Sequence, residues 1–203
     1  VLATGMVKGV DSDIMGKSGT SLKNIGLYEE AAVVFKDMAK SPRDASEEGR
    51  LLFALADLSR LRGKDDEAEE KLQVLLKRPV KDREELTNIK IMLADIYSRK
   101  KLYEKAIPLY AEAFGDKGDI VAGAALDYLK YANALREKNM FALAVTNYQL
   151  ALKEYNRNRQ RYSPDVAADA YFGAGDVLYR ERKYQEGLTM YEQSLAAARE
   201  QNH

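Results

Sequence analysis

Apolar residues recur at helical spacing along most of the chain. Four segments show the pattern clearly, because Leu, Ile, Phe, Tyr and Ala return every three or four positions between charged residues. They are GRLLFALADLSRL (49–61), NIKIMLADIYSRK (88–100), LDYLKYANALREK (126–138) and DAYFGAGDVLYRE (169–181). Each is followed by a short polar stretch and a second apolar segment, so the pattern predicts a series of helix pairs.

The chain repeats itself when these pairs are aligned. A small residue in each second helix serves as the anchor, at Ala31, Ala68, Ala106, Ala144 and Gly187, with spacings of 37, 38, 38 and 43 residues. Twelve positions before each anchor the residue is again small: Gly19, Ala56, Ala94, Ala132 and Gly175. Four positions after each anchor it is large: Phe35, Leu72, Tyr110, Tyr148 and Tyr191.

This alternation of small and large residues is typical of closely packed helices. Small side chains let two antiparallel backbones approach each other, while large side chains one turn away fill the groove between them. Gly26, Gly63 and Asn139 lie in the turns, where a left-handed backbone often ends a helix, and Lys101 and Arg182 hold the same place in two other pairs. Since a short helix pair cannot bury its apolar faces alone, stacking must supply the core. The sequence predicts an all-α solenoid of antiparallel helix pairs.

The repeats resemble the tetratricopeptide repeat, in its longer form of about 38 residues. The family pattern of aromatic, Leu-Ala and Tyr on the first helix, then Ala, aromatic and Ala on the second, is matched best from Thr87 onward, by residues Leu93, Ala94, Tyr97, Ala106, Tyr110 and Ala113. The resemblance implies a right-handed superhelix over residues 1–203 as one domain. The predicted repeats are 12–45, which is degenerate, and 49–82, 87–120, 125–160 and 166–199.

The resemblance also implies a function and a binding surface. First helices of such repeats line a concave groove that accepts a peptide or helix of a partner protein, and carrying those positions over gives thirteen candidates. They are Phe53, Asp57, Arg60, Ile91, Asp95, Arg99, Leu129, Asn133, Arg136, Phe172, Asp176, Tyr179 and Arg180. The alternative for these charged residues is that Asp and Arg pair with each other across adjacent repeats. We therefore expect a non-catalytic interaction scaffold or, as the alternative, a module that self-associates through its ends.

Composition removes several other functions. Lys plus Arg equals Asp plus Glu at 32 each, so no overall field favours nucleic acid. The chain has no cysteine, and its only histidine is the terminal His203, which leaves no thiol chemistry and no positioned imidazole. We expect no catalytic residue, no metal site and no cofactor. No apolar stretch approaches the length of a membrane span, so we expect a soluble protein, either cytoplasmic or periplasmic.

One motif points to a nucleotide instead. Residues 15–21 read MGKSGTS, and Gly16, Lys17 and Ser18 resemble the end of a phosphate-binding loop. That loop needs a glycine five positions before Gly16, where this chain has Asp11, and its carboxylate would repel a phosphate. Nucleotide binding here is thus a remote alternative. Gly19 fits the small position of a first helix, and we expect a frayed end repeat before residue 22.

The 43-residue spacing leaves extra length before the last pair. Arg157, Arg159 and Arg161 lie in this loop among Asn and Tyr residues, a pattern that can contact nucleic acid. Because the chain has no net charge and no second basic patch, we expect a solvated loop and no nucleic-acid partner. Ser163 and Pro164 then predict the start of the next helix.

Overall fold

A computed structural model describes residues 12–80, 82–114 and 124–200, and within them the chain forms ten α-helices and one short 3-10 helix. The α-helices are α1 (Ser12–Asn24), α2 (Tyr28–Met38), α3 (Ala45–Leu61), α4 (Asp65–Leu76), α5 (Arg83–Arg99), α6 (Tyr103–Phe114), α7 (Ala125–Glu137), α8 (Phe141–Arg157), α9 (Pro164–Arg180) and α10 (Tyr184–Glu200). The 3-10 helix is Arg159–Arg161. No strand occurs among the described residues. The predicted all-α fold of paired helices is confirmed.

The turns within the pairs use the predicted residues. Gly26 and Gly63 have positive φ angles, and so do Lys101, Asn139 and Arg182 at the equivalent places. In all five turns the carbonyl of the residue directly after the left-handed position accepts a helical hydrogen bond, as where the N–H of Ala106 donates to the carbonyl of Leu102. The left-handed residue reverses the chain and places each second helix beside its first.

The chain divides into two compact units, Val1–Met92 and Leu93–His203. In unit 1, α1 packs on α2, α2 on α3, and α3 on α4. Its core contains Phe35, Leu51, Leu55 and Leu58, with Leu22 packed against it from α1. These residues lie on the apolar faces that the sequence predicts.

Unit 2 contains α6 to α10 and the end of α5. α7 packs on α8, α8 on α9, and α9 on α10, while α7 also contacts α9 directly. Four stacked aromatic rings join α6 to α7: Tyr110, Phe114, Tyr128 and Tyr131. Burial of Tyr110 and Tyr131 raises the pKa of both phenols, as expected for rings in an apolar core.

The small positions of the alignment explain the close packing of each pair. All ten are buried, and a methyl group added to Gly19 would lie 2.8 Å from the ring of Phe35. The same addition at Gly175 would lie 2.9 Å from Tyr191. The helices therefore approach too closely at these two points for any larger residue.

Two expectations about local structure have different outcomes. Ser163 caps α9 and Pro164 begins it, as predicted. The frayed segment expected before residue 22 is wrong for residues 12–22, because these form the continuous helix α1. The Thr20 hydroxyl also donates a side-chain hydrogen bond to the Gly16 carbonyl one turn earlier. Residues 1–11, 81, 115–123 and 201–203 lie outside the described part, including the end of the predicted repeat 87–120.

Candidate interaction surfaces

The predicted acidic residue of unit 1 is held by two cations. The Asp57 carboxylate on α3 accepts hydrogen bonds from Lys23 of α1 at 3.1 Å and from Arg60, one turn along its own helix, at 2.6 Å. All three side chains are at least two-thirds buried. The sequence left open a pairing of Asp with Arg across adjacent repeats; at Asp57 the partner from the neighbouring first helix is Lys23 instead, and Arg60 pairs with Asp57 within α3.

Unit 2 repeats the arrangement in two places. Lys130 of α7 pairs with Asp95 of α5 at 3.0 Å, and Asp95 is buried. Asp176 of α9 lies 3.1 Å from Arg180 and 3.7 Å from Arg136 of α7. The charged positions therefore form ion pairs that link one first helix to the next. Such pairs hold the charged side chains in defined positions, and they contribute little to the free energy of unfolding.

Asn133 replaces the aspartate in α7, and its partner differs accordingly. Its side-chain oxygen accepts a hydrogen bond of 2.7 Å from the hydroxyl of Tyr148 on α8. Burial raises the pKa of Tyr148 to about 12, so the phenol stays protonated and remains a donor. Asn133 thus holds a buried tyrosine in place, and Tyr148 in turn packs under α9 at Gly173.

The remaining predicted residues differ in exposure. Leu129 is buried, Phe53 and Ile91 are half-buried, and Arg99 is exposed. Phe172 is 54% exposed although it aligns with the buried Leu129. The reason is that α9 covers α7, whereas no further first helix covers α9 among the described residues.

Four aromatic side chains lie together on α9 and α10 of unit 2. Phe172 lies 5.6 Å from Tyr191 between ring centres, and Tyr179 lies 5.4 Å from Tyr184 in an edge-to-face contact. Tyr179 and Tyr184 are 58% and 59% exposed. We call these four residues the aromatic surface. It adjoins the pair of Asp176 and Arg180, since positions 172, 176, 179 and 180 share one face of α9.

Sequence reasoning found part of this arrangement and missed the rest. It identified Phe172 and Tyr179, but it did not identify Lys23 and Lys130 as the partners of the aspartates. Their signal is weak, because Lys23 lies four residues after the small position of α1 while Lys130 lies two residues before that of α7. Tyr184 was missed because it belongs to a second helix, which the groove argument did not consider.

Several kinds of chemistry have no site in the described residues. No group of three or more His, Cys, Asp or Glu side chains is placed to hold a metal ion within residues 12–80, 82–114 and 124–200. No described helix is both long and apolar enough to cross a membrane. Gly16, Lys17 and Ser18 lie within α1, where the backbone N–H groups bond along the helix, so they do not form a phosphate cradle.

The arginine-containing loop between α8 and α9 packs on neighbouring rings. The guanidinium of Arg159 lies 5.7 Å from the ring centre of Tyr155, and that of Arg161 lies 6.0 Å from the ring centre of Tyr162. The Tyr162 hydroxyl accepts a hydrogen bond from the backbone N–H of Ala125. This loop therefore has a structural role in joining α7, α8 and α9.

Comparison with known proteins agrees with this geometry. A family model described as the tetratricopeptide repeat matches residues 51–87. The structure of YrrB, titled a TPR protein with an unusual peptide-binding site, is similar with a TM-score of 0.67 and 13% identity, covering 92% of this chain and 86% of that one. MamA from Desulfovibrio magneticus RS-1 is similar with a TM-score of 0.73 and 15% identity, covering 96% and 99%.

A curated human protein, Protein O-mannosyl-transferase TMTC1, is 24% identical over 184 residues, which are 91% of this chain. The chain spans 19% of that relative's length. The fold of the tetratricopeptide repeat suggests interaction with other proteins. Residues 51–87 thus match the tetratricopeptide repeat, and the fold of the chain is similar to that of solved tetratricopeptide-repeat proteins.

Proposed function

We propose that the chain is a non-catalytic interaction module that binds a peptide or helix of a partner protein along α9 in unit 2. The observation that carries this proposal is the exposure of Phe172 and Tyr179 on one face of a first helix. Large aromatic side chains dominate binding energy at protein interfaces when a partner excludes water from them. Covering these two side chains with a partner would therefore contribute favourable binding free energy.

The charges beside this face suit an interface as well. Asp176, Arg136 and Arg180 already satisfy one another, so a partner would not have to pair a buried, isolated charge. On α10, the ring of Tyr191 contacts Phe172 and the ring of Tyr184 contacts Tyr179, so both exposed rings of α9 are held in position. A surface already in position costs little entropy on binding, and the partner segment bears most of that cost.

The relative titled as having a peptide-binding site supports the class of ligand, although the identity between the two chains is only 13%. The remaining predicted residues of unit 2, Asp95, Arg99, Leu129 and Asn133, contribute support rather than contact in this proposal, since most of them are buried or bonded within the fold. For unit 1 we propose the same class of contact at Phe53, Asp57, Arg60 and Ile91.

Affinity capture with matched variants tests the proposal. The variant Phe172→Ala/Tyr179→Ala should lose specific partners, while Val33→Ala/Val74→Ala, which removes two exposed apolar side chains from α2 and α4, should keep them. A third variant, Asn133→Ala/Arg136→Ala, tests the adjoining polar positions. Partners retained by the first variant, or lost equally from the Val33/Val74 control, would count against α9 as the binding surface.

Self-association is a second candidate, and one observation favours it. α10 has an apolar stripe with spacing of four, three and four residues, in which Tyr184, Leu188 and Leu195 are exposed and Tyr191 is half-buried. In α8 the equivalent of Tyr191 is Tyr148, which the next helix buries completely. A second copy could cover the stripe in the same manner. Light scattering over a concentration series should then show a mass that grows, and Leu188→Glu should abolish the growth.

A further inference from the structure

Unit 2 contains a small cavity between α8, α9 and α10. Its volume is about 170 Å³, and its floor is formed by Tyr155, Ala167 and Ala197, which belong to one buried cluster. Since a cavity of about 150 Å³ holds a molecule of benzene, this one suits a ligand of similar size. None of the residues of the aromatic surface or of the predicted groove lines it.

The length of two second helices creates this cavity. α8 and α10 have 17 residues each, whereas α4 has 12, although all three begin three positions before their anchors. The difference is more than one helical turn. The additional turns carry four residues that line the cavity, Asn156 on α8 and Ala196, Ala197 and Glu200 on α10. Alanine side chains are too short to fill the space between the two extended helices, so the space stays open.

Opposite charges line the walls of the cavity without pairing. Arg159 of the 3-10 helix and Glu200 of α10 both line it, and neither forms an ion pair with any residue in the described part of the chain. The Arg159 guanidinium is held in place, because its Nε and Nη2 donate to the side-chain oxygen of Asn156 at 3.2 and 3.1 Å. It also lies 5.7 Å from the ring centre of Tyr155. The N–H groups of its Nη1 are left for a ligand, so the cavity presents an unused cation and an unused anion.

A ligand with both charges suits these walls best. A purely anionic ligand would meet the carboxylate of Glu200, and a purely cationic ligand would meet the guanidinium of Arg159. Like charges repel at short range, whereas a zwitterion attracts both walls at once. A free α-amino acid carries a carboxylate and an ammonium on one carbon atom, and alanine has as many non-hydrogen atoms as benzene. Its size and its charges therefore both match the cavity.

We propose that this cavity binds a free α-amino acid with a short side chain, such as alanine or serine. The carboxylate of the ligand accepts hydrogen bonds from Nη1 of Arg159, and its ammonium donates to the carboxylate of Glu200. The short side chain contacts Ala196 and Ala197. This site goes beyond the interaction function proposed above, because its ligand is a small molecule and it uses none of the exposed rings of α9.

An NMR titration of the isotope-labelled full chain with three ligands of equal size tests the proposal. L-alanine carries both charges, propionate lacks the ammonium, and alaninamide lacks the carboxylate. We expect L-alanine to bind at least about tenfold more tightly than either of the other two, because each of them loses a hydrogen bond between charged groups. Absence of binding by L-alanine would overturn the proposal. Equal binding of L-alanine and propionate would also overturn it, since the arginine would then bind any small anion.

Variants assign the binding to the cavity and each charge to its partner. Glu200→Gln should weaken the binding of L-alanine by about tenfold and leave that of propionate unchanged, whereas Arg159→Gln should weaken both ligands and leave alaninamide unchanged. Ala196→Leu should fill the cavity and abolish the binding of L-alanine. The matched controls are Arg157→Gln and Glu192→Gln, which change exposed residues that do not line the cavity and should bind L-alanine normally. Circular dichroism verifies that each variant is folded.

Two results with these variants would contradict the site. Unchanged binding of L-alanine by a folded Ala196→Leu variant would show that the cavity is not used. An equal loss of affinity in Glu200→Gln and in its control Glu192→Gln would show that Glu200 does not contact the ammonium. The variant Phe172→Ala/Tyr179→Ala should bind L-alanine normally, so failure of this proposal is distinguishable from failure of the proposal for α9.

Discussion

Gly173→Ala is the substitution for which the structure predicts the clearest loss of stability. Gly173 lies on α9 against the ring of Tyr148, and an added methyl group would be 2.3 Å from the Cζ atom and 2.4 Å from the hydroxyl. Atoms in real side chains do not approach so closely. Tyr148 is fully buried and bonded to Asn133, so its ring cannot rotate away without losing that bond.

Two opposing effects set the magnitude. Alanine in place of glycine within a helix gains about 1 kcal/mol in the free energy of unfolding. Overpacking costs about 1 to 3 kcal/mol, and a lost hydrogen bond adds about 1 kcal/mol. The cost exceeds the gain, and we expect a net destabilisation of about 2 kcal/mol. For a chain of this size that corresponds to about 4 to 8 °C in Tm.

Chemical denaturation followed by circular dichroism measures this change, with Gly16→Ala as the matched control. The control has no close neighbour and should gain about 1 kcal/mol from helix propensity. In a Tyr148→Leu background the ring is absent, and Gly173→Ala should cost less by at least about 1 kcal/mol. If Gly173→Ala is as stable as the control, or its cost is the same in both backgrounds, the packing argument is wrong.

Three further predictions concern single residues. Because burial raises the pKa of Tyr148 to about 12 from an ordinary 10.0, its contribution to stability is present below pH 10 and is lost as the pH rises toward 12. In urea titrations at pH 8 and pH 11.5, Tyr148→Phe should reduce the dependence of the unfolding free energy on pH. Glu47→Gln should cost about 1 to 3 kcal/mol, since its buried carboxylate accepts both the backbone and the side-chain N–H of Arg43, whereas Glu70→Gln on the surface should cost almost nothing; equal Tm values would contradict this. Arg182→Gly should raise the unfolding free energy by about 1 kcal/mol, because Arg182 has a φ of 64°, and a lower Tm would refute the strain.

The sequence predicted the fold well because each repeat contains the same packing problem. The ten small positions and the large residues one turn away are forced by the close approach of two helices, and such a constraint can be read without a structure. Gly173 was not predicted, since its ring partner belongs to the preceding pair and the alignment compares positions within pairs. The helix at Ser12–Asn24 was underestimated because propensity counts against Gly16 and Gly19, whereas packing of Gly19 under Phe35 favours it.

The interaction surfaces were harder to predict for a physical reason. Leu129 and Phe172 occupy equivalent positions of the repeat and are both large and apolar, yet Leu129 is buried and Phe172 is exposed. The difference arises because exposure depends on whether another helix stacks on the helix pair that carries the residue. The ion pairs of Asp57, Asp95 and Asp176 likewise depend on cations from neighbouring helices, and these cations lie at two different positions of the repeat. Sequence periodicity therefore identifies which residues share one face of a helix, while the helices packed against that face determine whether those residues are buried, exposed or ion-paired.

Quantitative affinity capture tests the central claim most directly, with the wild-type chain compared with Phe172→Ala/Tyr179→Ala and Val33→Ala/Val74→Ala at equal loading. Our account predicts that a defined set of proteins binds the wild type and the Val33/Val74 variant but is absent with the α9 variant, while circular dichroism shows all three chains equally helical. Retention of every partner by the α9 variant would contradict the claim that the exposed aromatic residues of α9 bind another protein.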